Sequence, residues 1–142
     1  MNKSAIDPEK PLIDKTLIML FEKASTRTRL SFELAIKQLG GHLLVLDSKE
    51  SHYGSGNESV YDTAKVLSQY GDIVMMRTHK HKHLLEFSKH LDIPIINGLT
   101  NLSHPCQVMS DIMTFEELKG SIEKKKIAWL GDGNYIAYSL IV

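Results

Sequence analysis

The stretch Thr16–Leu39, TLIMLFEKASTRTRLSFELAIKQL, decides the fold class of this chain. It opens with the unbroken apolar run Thr16–Phe21, which is typical of a strand buried on both faces of a parallel sheet. The polar segment Glu22–Arg29 follows, and apolar residues then recur with helical spacing at positions 32, 35, 36 and 39. A buried strand, a polar turn and an amphipathic helix in this order predict one strand–helix unit of an α/β fold.

The same alternation runs through the rest of the sequence. Apolar runs predict further strands at 43–46, 73–76, 93–96 and 127–130. Amphipathic stretches predict helices that begin near Ser59, near Lys82 and at Ser103 or His104. We therefore predict an α/β fold in which helices flank a mostly parallel sheet. Ligands of such sheets bind outside the carboxyl ends of the strands, so chemistry is expected in the polar segments that follow each predicted strand.

Length and composition limit the functional classes. The chain has 142 residues, which suits one domain, and Lys+Arg equal Asp+Glu at 17 each. The resulting net charge of zero argues against a nucleic acid or an anionic membrane as a partner. Cys106 is the only cysteine, the start Met1–Lys10 is polar, and no apolar run approaches ~18 residues. We expect a cytoplasmic protein with no internal disulfide, no secretory signal and no membrane span.

The segment STRTR at residues 25–29 is the first candidate for a binding site. It stands between a buried strand and a helix, where backbone N–H groups are unpaired and the helix dipole favours an anion. Three hydroxyl groups and two guanidinium groups add donors, and arginine suits bidentate binding of phosphate. A solvated helix cap with incidental arginines is the alternative. We favour the anion site.

A second candidate is His104-Pro105-Cys106-Gln107, which also follows a predicted strand and opens a helix. The imidazole could donate to a developing oxyanion and the carboxamide could bind an amide. A capped helix start with a packing cysteine is the simpler alternative. Arg77 follows the third predicted strand on the same rim, where an isolated arginine is usually a surface charge. Taken one at a time, these residues do not identify a site.

Two other patterns are interpreted without a cofactor. The histidines of the tract THKHKH at 78–83 alternate with lysines, which disfavour a bound cation. Gly131-x-Gly133 opens like a dinucleotide fingerprint, but Ile136 occupies the third glycine position. We predict neither a metal nor an organic cofactor.

Taken together, the motifs closely resemble the aspartate/ornithine carbamoyltransferase family in order and spacing, from about residue 15 to residue 134. The motifs that carry the resemblance are FEKASTRTR at 21–29, DTA at 62–64, RT at 77–78, NGLT at 97–100 and HPCQ at 104–107. The STRTR form of the first motif, the cysteine of HPCQ and GDGN at 131–134 are similar to the ornithine branch of the family.

The resemblance implies a role for each motif residue. Ser25, Thr26, Arg27 and Thr28 would hold the phosphate of carbamoyl phosphate. Arg29 looks structural, and we pair it with Glu58.

The catalytic residues implied by the resemblance are Arg77 and His104. Arg77 would bridge the phosphate and the carbonyl oxygen, and His104 would help Thr28 to polarise that oxygen. Gln107 would hold the carbamoyl amide. The reaction is attack of an amine on the carbonyl carbon, with phosphate leaving and no covalent enzyme intermediate.

The resemblance also implies a domain organisation and an assembly. Residues 1–120 correspond to the carbamoyl-phosphate-binding domain without its leading helix. Residues 121–142 correspond to a linker and the first strand and helix start of an incomplete ornithine-binding domain. The family assembles as a homotrimer in which the loop at 47–57 reaches a neighbouring subunit, but the arginine of that loop is absent here.

The edge that would meet the second substrate departs from the family pattern. Asn134 is present, but Tyr135 stands where the family has an asparagine that contacts ornithine. A phenol does not reproduce the paired donor and acceptor of a carboxamide. We expect the chain to bind carbamoyl phosphate, and to bind ornithine only if the missing domain is supplied. The alternatives are an aspartate carbamoyltransferase and a non-catalytic carbamoyl-phosphate-binding module or inactive remnant.

Overall fold

The computed structural model describes residues 8–47 and 52–141, in which strands and helices alternate as the sequence predicts. The elements are β1 Thr16–Phe21, α1 Thr26–Gln38, β2 His42–Asp47, α2 His52–Ser55, α3 Val60–Tyr70, β3 Ile73–Arg77, α4 His81–His90, β4 Ile95–Leu99, α5 Pro105–Lys119 and α6 Tyr135–Ile141. None of the helices in the described ranges is long and apolar enough to cross a membrane.

The four strands form one parallel sheet in the order β2-β1-β3-β4, which confirms the predicted fold class. β1 pairs with a strand on each side, and its residues alternate between two hydrophobic clusters. Ile18 and Leu20 pack with residues of α3, β3 and α4, including the fully buried Phe87. Leu17 and Met19 face the other side, toward Ile36 of α1. Because both faces of the sheet are covered, β1 is apolar at consecutive positions.

Helix ends follow the sequence signals closely. The Ser25 and Ser59 side chains cap α1 and α3. Ser59 Oγ accepts from the Asp62 backbone N–H at 3.1 Å, and the Ser59 hydroxyl donates to the Asp62 carboxylate at 2.7 Å. Pro105 occupies the first turn of α5, and Gly120 ends that helix with a φ of +77°. These caps fix where each loop at the carboxyl edge of the sheet gives way to a helix.

Two predicted boundaries differ from the structure. β4 begins at Ile95 and extends to Leu99, so the NGL segment that follows the predicted strand 93–96 belongs to the strand. The register with β3 shifts at Met76 and Arg77, and Gly98 is the extra residue of the bulge. Part of the predicted 47–57 loop forms the short helix α2, while residues 48–51 lie outside the described ranges.

The prediction of a fifth strand at 127–130 is wrong. This segment has no regular secondary structure, and Leu130 is 94% exposed. A strand forms only when its backbone groups pair with a neighbour. In the described residues no sheet strand pairs with this segment, so its apolar run has no ladder to join.

Gly98 provides a test of the β3–β4 bulge. A Cβ at this position would lie 2.3 Å from the buried Met75 sulfur and 3.2 Å from the Met76 carbonyl oxygen. We expect Gly98→Ala to lower the free energy of unfolding by about 1–3 kcal/mol, because added atoms in a packed core force shifts of neighbouring groups. The measurement is urea denaturation followed by circular dichroism. Gly133→Ala is the matched control, because a Cβ there meets nothing within 4 Å. Equal midpoints for the two variants would contradict the tight packing at Gly98.

Candidate functional site

A cavity of about 400 Å³ opens at the carboxyl edge of the sheet, beside the ends of β1, β3 and β4. Most of the residues predicted from the sequence line it together: Ser25, Arg27, Thr28, Arg77, His104, Gln107 and Tyr135. They come from four separate parts of the chain. The parallel sheet brings these parts to one rim, as the positions of the motifs after the strands predict.

The β1–α1 corner supplies the first wall of the cavity. Ser25 is the N-cap of α1 in an extended conformation, and its Oγ accepts a hydrogen bond of 3.3 Å from the Thr28 backbone N–H. The hydroxyl hydrogen of Ser25 is therefore available to a further acceptor. The backbone N–H groups of the first helical turn have no intrahelical acceptor, so donors and the helix dipole point at the same place.

Arg77, the last residue of β3, crosses to that corner. Its Nη1 donates to Thr28 Oγ1 at 3.0 Å and to the Gly98 carbonyl oxygen at 3.5 Å. Because Thr28 Oγ1 accepts from the guanidinium, the hydroxyl hydrogen of Thr28 is also free to donate to a ligand. Nε of Arg77 is buried without a hydrogen-bond partner.

Arg77 lies near a second cation, Arg27, and no carboxylate of the described residues forms an ion pair with it. Burial lowers the pKa of the Arg77 guanidinium, the Tyr135 phenol opposes that shift, and nearby Arg27 adds to it. Burying a cation beside another cation costs free energy unless an anion pairs with it. The cavity is therefore electrostatically suited to an anion with several acceptor oxygens, such as phosphate.

His104 forms the opposite wall. Its backbone N–H donates to Ser139 Oγ at 2.7 Å, which ties the start of α5 to α6, and its ring centroid lies 6.4 Å from that of Tyr135. Nδ1 is buried without a partner. Burial and the positive charge of Arg77 lower the pKa of the imidazole, and Asp111 opposes them. The ring is therefore neutral at pH 7, and one of its nitrogens can donate a hydrogen bond without carrying a charge.

Gln107 is the third residue of α5, and one hydrogen bond orients its carboxamide. Its Nε2 donates to the Asp111 carboxylate at 2.9 Å, four residues along the same helix. The carboxamide oxygen is thus left as the acceptor of the group. An acceptor here complements the donors at the β1–α1 corner, so the cavity can hold a molecule that is anionic at one end and carries N–H groups at the other.

Two residues from the predicted set do not line this cavity. Thr26 is the first residue of α1, and its side chain lines a neighbouring cavity with Arg29. Asn134 caps α6, where its Oδ1 accepts from the Ile136 backbone N–H at 2.9 Å. The predicted pairing of Arg29 with Glu58 does not form, and no ion pair within the described ranges joins these side chains.

Several lining residues were not predicted from the sequence. Ser31 and Ser110 each lie three residues after a predicted site residue, Thr28 and Gln107, and so share its helix face. That spacing could have indicated them. Leu99 gave no such signal. It is buried against the cavity with a φ of +147°, a conformation that costs a non-glycine residue on the order of 1–3 kcal/mol.

The histidine tract and the cysteine have other partners. His81 Nδ1 lies 3.1 Å from Thr100 Oγ1, and His83 Nδ1 lies 3.2 Å from a Glu22 carboxylate oxygen. Cys106 Sγ donates to the Asn97 carbonyl oxygen at 3.4 Å, and burial raises the pKa of its thiol. A raised pKa keeps the thiol protonated at neutral pH, which is unsuited to nucleophilic attack.

Comparison with known proteins gives one family. The family profile described as "Aspartate/ornithine carbamoyltransferase, carbamoyl-P binding domain" matches residues 1–117. The match covers more than half of the chain and contains every predicted site residue except Asn134 and Tyr135.

Similar proteins and solved structures agree with that match. Ornithine carbamoyltransferase of Rhizobium meliloti is 54% identical over 133 residues, which are 94% of this chain and 44% of the relative. The structure of ornithine carbamoyltransferase from Pyrococcus furiosus aligns with a TM-score of 0.88 and 47% identity, over 94% of this chain and 42% of that one. Aspartate transcarbamoylase from Trypanosoma cruzi, in complex with N-(phosphonacetyl)-L-aspartic acid, aligns with a TM-score of 0.84 but 28% identity, over 96% and 42%. The chain thus spans less than half the length of the relatives it matches.

The neutral state of His104 can be tested by its titration. We expect the imidazole of His104 to titrate below its ordinary pKa of 6.5, because burial and Arg77 both disfavour the charged form. The measurement is the pH dependence of the ring signals in a ¹³C-histidine-labelled sample, with His104→Gln to assign them. Arg77→Gln should raise the pKa of His104, and Asp111→Asn should lower it further. Shifts of the same sign in both variants would contradict this electrostatic account.

Proposed function

The chain belongs to the aspartate/ornithine carbamoyltransferase family, and on that basis we propose that its cavity binds carbamoyl phosphate for carbamoyl transfer to the side-chain amine of ornithine. The observation that carries the proposal is the bond of 3.0 Å between Arg77 Nη1 and Thr28 Oγ1 at the start of α1. This hydrogen bond joins the guanidinium at the end of β3 to the β1–α1 corner, whose hydroxyl and backbone N–H donors line the same cavity.

The phosphate occupies the β1–α1 corner. Ser25 and Thr28 donate through their hydroxyl hydrogens, Arg27 and Arg77 supply charge, and the Thr26 contribution is its backbone N–H at the first helical position. A dianionic phosphate would also pair with the partly buried guanidinium of Arg77, with which no carboxylate of the described residues pairs. The cost of burying that cation is thereby offset when the ligand binds.

The carbamoyl group points from the corner toward His104 and Gln107. Arg77 and His104 donate to the carbonyl oxygen, on which negative charge develops, and the Gln107 carboxamide oxygen accepts from the carbamoyl NH₂ group. Both roles use the state that each side chain already has, a neutral imidazole and a carboxamide oriented by Asp111. Donors fixed before the reaction stabilise the transition state without reorganisation.

The reaction balances without a covalent enzyme intermediate. The lone pair of the neutral amine forms a bond to the carbonyl carbon, and the bond from that carbon to the phosphate oxygen breaks. Phosphate leaves with the bonding electron pair, and the amine nitrogen loses a proton, which the departing phosphate accepts. The chain's residues bind, orient and polarise the carbamoyl donor, so Arg77 and His104 are the proposed catalytic residues.

Ornithine is favoured over aspartate as the acceptor for two reasons. The STRTR, HPCQ and GDGN motifs are similar to the ornithine branch, and relatives named ornithine carbamoyltransferase reach 54% identity against 28% for the aspartate transcarbamoylase structure. In this proposal the acceptor is bound partly by residues that this sequence does not contain, because the chain matches 44% of the first relative's length.

The proposal includes a domain organisation, in which residues 1–120 form the carbamoyl-phosphate-binding domain and residues 121–142 begin the acceptor domain. A homotrimer and a cytoplasmic location, which suits the single unpaired Cys106, belong to the same proposal.

A second candidate is a module that binds carbamoyl phosphate without transferring it. The observation that favours it is Tyr135, which lines the cavity beside His104 where the family resemblance expects an asparagine that contacts ornithine. A phenol offers one hydroxyl group and a bulky ring in place of a carboxamide.

This candidate is tested by assaying the purified 142-residue chain for citrulline. We expect the chain alone to bind carbamoyl phosphate without forming citrulline, and sustained citrulline formation would exclude this candidate.

Binding at the proposed corner is tested by calorimetry. We expect inorganic phosphate and carbamoyl phosphate to bind the chain, and we expect Arg27→Ala to weaken phosphate binding by about tenfold or more, because hydrogen bonds to a charged group are worth ~1.5–3 kcal/mol. Arg29→Ala is the matched control. It removes the same charge from the same motif, but Arg29 lines the neighbouring cavity.

The two arginine variants separate a local site from general attraction. If both variants weaken binding equally, the effect is net charge and not the proposed corner. If neither ligand binds a folded sample, the proposed function fails.

A further inference from the structure

Glu22 is a partly buried carboxylate that the proposed function does not use. It directly follows β1 and precedes the Ser25 cap by three residues, and its side chain is 12% exposed. One carboxylate oxygen accepts from the Tyr53 hydroxyl at 2.7 Å, and the other accepts from the Thr78 hydroxyl. A carboxylate with these donors is held in one place, unlike a solvated surface glutamate.

The donors to Glu22 come from segments that are far apart in the sequence. Tyr53 lies in the short helix α2, and Thr78 is the residue after Arg77. The ring of Tyr53 packs edge-on against the fully buried Phe87, with centroids 5.0 Å apart and planes at 82°. Burial and the bond to Glu22 raise the pKa of the Tyr53 phenol, so the phenol remains a donor.

His83 of α4 also faces this carboxylate, with its Nδ1 3.2 Å from one oxygen. Glu22, Tyr53 and His83 line a separate cavity together with Glu58 and Glu86. Two further carboxylates, those of Glu58 and Glu86, therefore line the same cavity as Glu22. The hydrogen bonds from Tyr53 and Thr78 hold the Glu22 carboxylate in place beside them.

Glu22 connects the two strands that carry the anion-binding groups. Its backbone N–H donates to the Arg77 carbonyl oxygen at 2.9 Å, and its side chain binds the next residue, Thr78. Thr78 is fully buried, and its own N–H donates to the Leu99 carbonyl oxygen at 3.0 Å. The distance between the β1–α1 corner and the end of β3 is thus fixed by the bonds from Glu22 to Arg77 and Thr78 and by the bond from Arg77 to Thr28.

We propose that Glu22 is a positioning residue that holds Ser25 and Thr28 in register with Arg77, and that Tyr53 completes this support from α2. The proposal rests on the proposed function, because the group being positioned is the phosphate site. Small displacements of preorganised groups weaken binding strongly, since the donors of one anion must converge on it.

The sign of the effect distinguishes positioning from simple electrostatics. A carboxylate near an anion site repels the anion, so its neutralisation would tighten binding if charge alone mattered. Positioning predicts the opposite result. Glu22→Gln keeps the size and one acceptor oxygen of the side chain, whereas Tyr53→Phe removes a donor and changes no charge at neutral pH.

The test measures the affinity of the 142-residue chain for inorganic phosphate by calorimetry. We expect Glu22→Gln and Tyr53→Phe each to weaken binding by about tenfold, the lower end of the effect seen when the partner that orients a metal ligand is lost. Glu86→Gln is the matched control, because it removes the same charge from the same cavity but Glu86 is exposed. It should bind phosphate within about twofold of the unmodified chain. The double variant Glu22→Gln/Tyr53→Phe should lose little more than either single variant, as expected of residues that act as one unit.

Each outcome bears on the proposal. Thermal unfolding without phosphate identifies variants that fail to fold, and if Glu22→Gln is one of them, Tyr53→Phe decides. Unchanged or tighter binding by the folded variants overturns the positioning role. If Arg27→Ala weakens binding while Glu22→Gln and Tyr53→Phe do not, the phosphate site stands and this inference fails. If the unmodified chain binds no phosphate, both fail.

Discussion

The structure depends on β1 being hydrogen-bonded on both edges and buried on both faces. Its pairing with β2 and β3 fixes its register, and a slip would move its apolar residues out of the two clusters they fill. The chain must therefore leave the sheet at Phe21, directly opposite Arg77. That single register places the polar segment after β1 beside the cation that ends β3. The position of the proposed anion-binding corner is a consequence of how the core packs.

The cavity combines groups that burial makes unfavourable in the absence of a ligand. Arg77 has a buried Nε without a partner, His104 has a buried Nδ1 without a partner, and burial lowers the pKa of both. Leu99 adds a strained backbone at the same rim. A rigid sheet edge can hold such groups, because the cores on either side of it supply the stability. The proposed ligand, an anion with N–H groups at its far end, would pair these groups.

Local signals predicted the elements and most of the cavity, whereas contacts between distant segments were not predictable. The bounds of β1 and the Ser25 and Ser59 caps follow from short patterns, and the position of motifs after strands was enough to bring Arg77 and His104 to one rim. The absent strand at 127–130 shows the limit, because an apolar run becomes a strand only where a partner strand exists. The bulge at Gly98 likewise depends on how β4 meets β3. The contacts of Glu22 depend on α2, α4 and the residue after β3 meeting at one point, which no periodicity encodes.

The two sides of the cavity differ in what holds them. The side proposed to bind phosphate rests on the sheet, where Arg77 and the start of α1 are fixed by strand register and by buried neighbours. The His104 side rests on helix contacts, since its backbone bond to Ser139 joins α5 to α6, which Asn134 caps. Tyr135 begins α6, so the ring that faces His104 is oriented by these same contacts. A change in the packing of α6 would therefore alter the His104 side of the cavity and leave the β1–α1 corner intact. In the proposed function, binding of the carbamoyl donor and selection of the acceptor are separable, because they depend on different contacts.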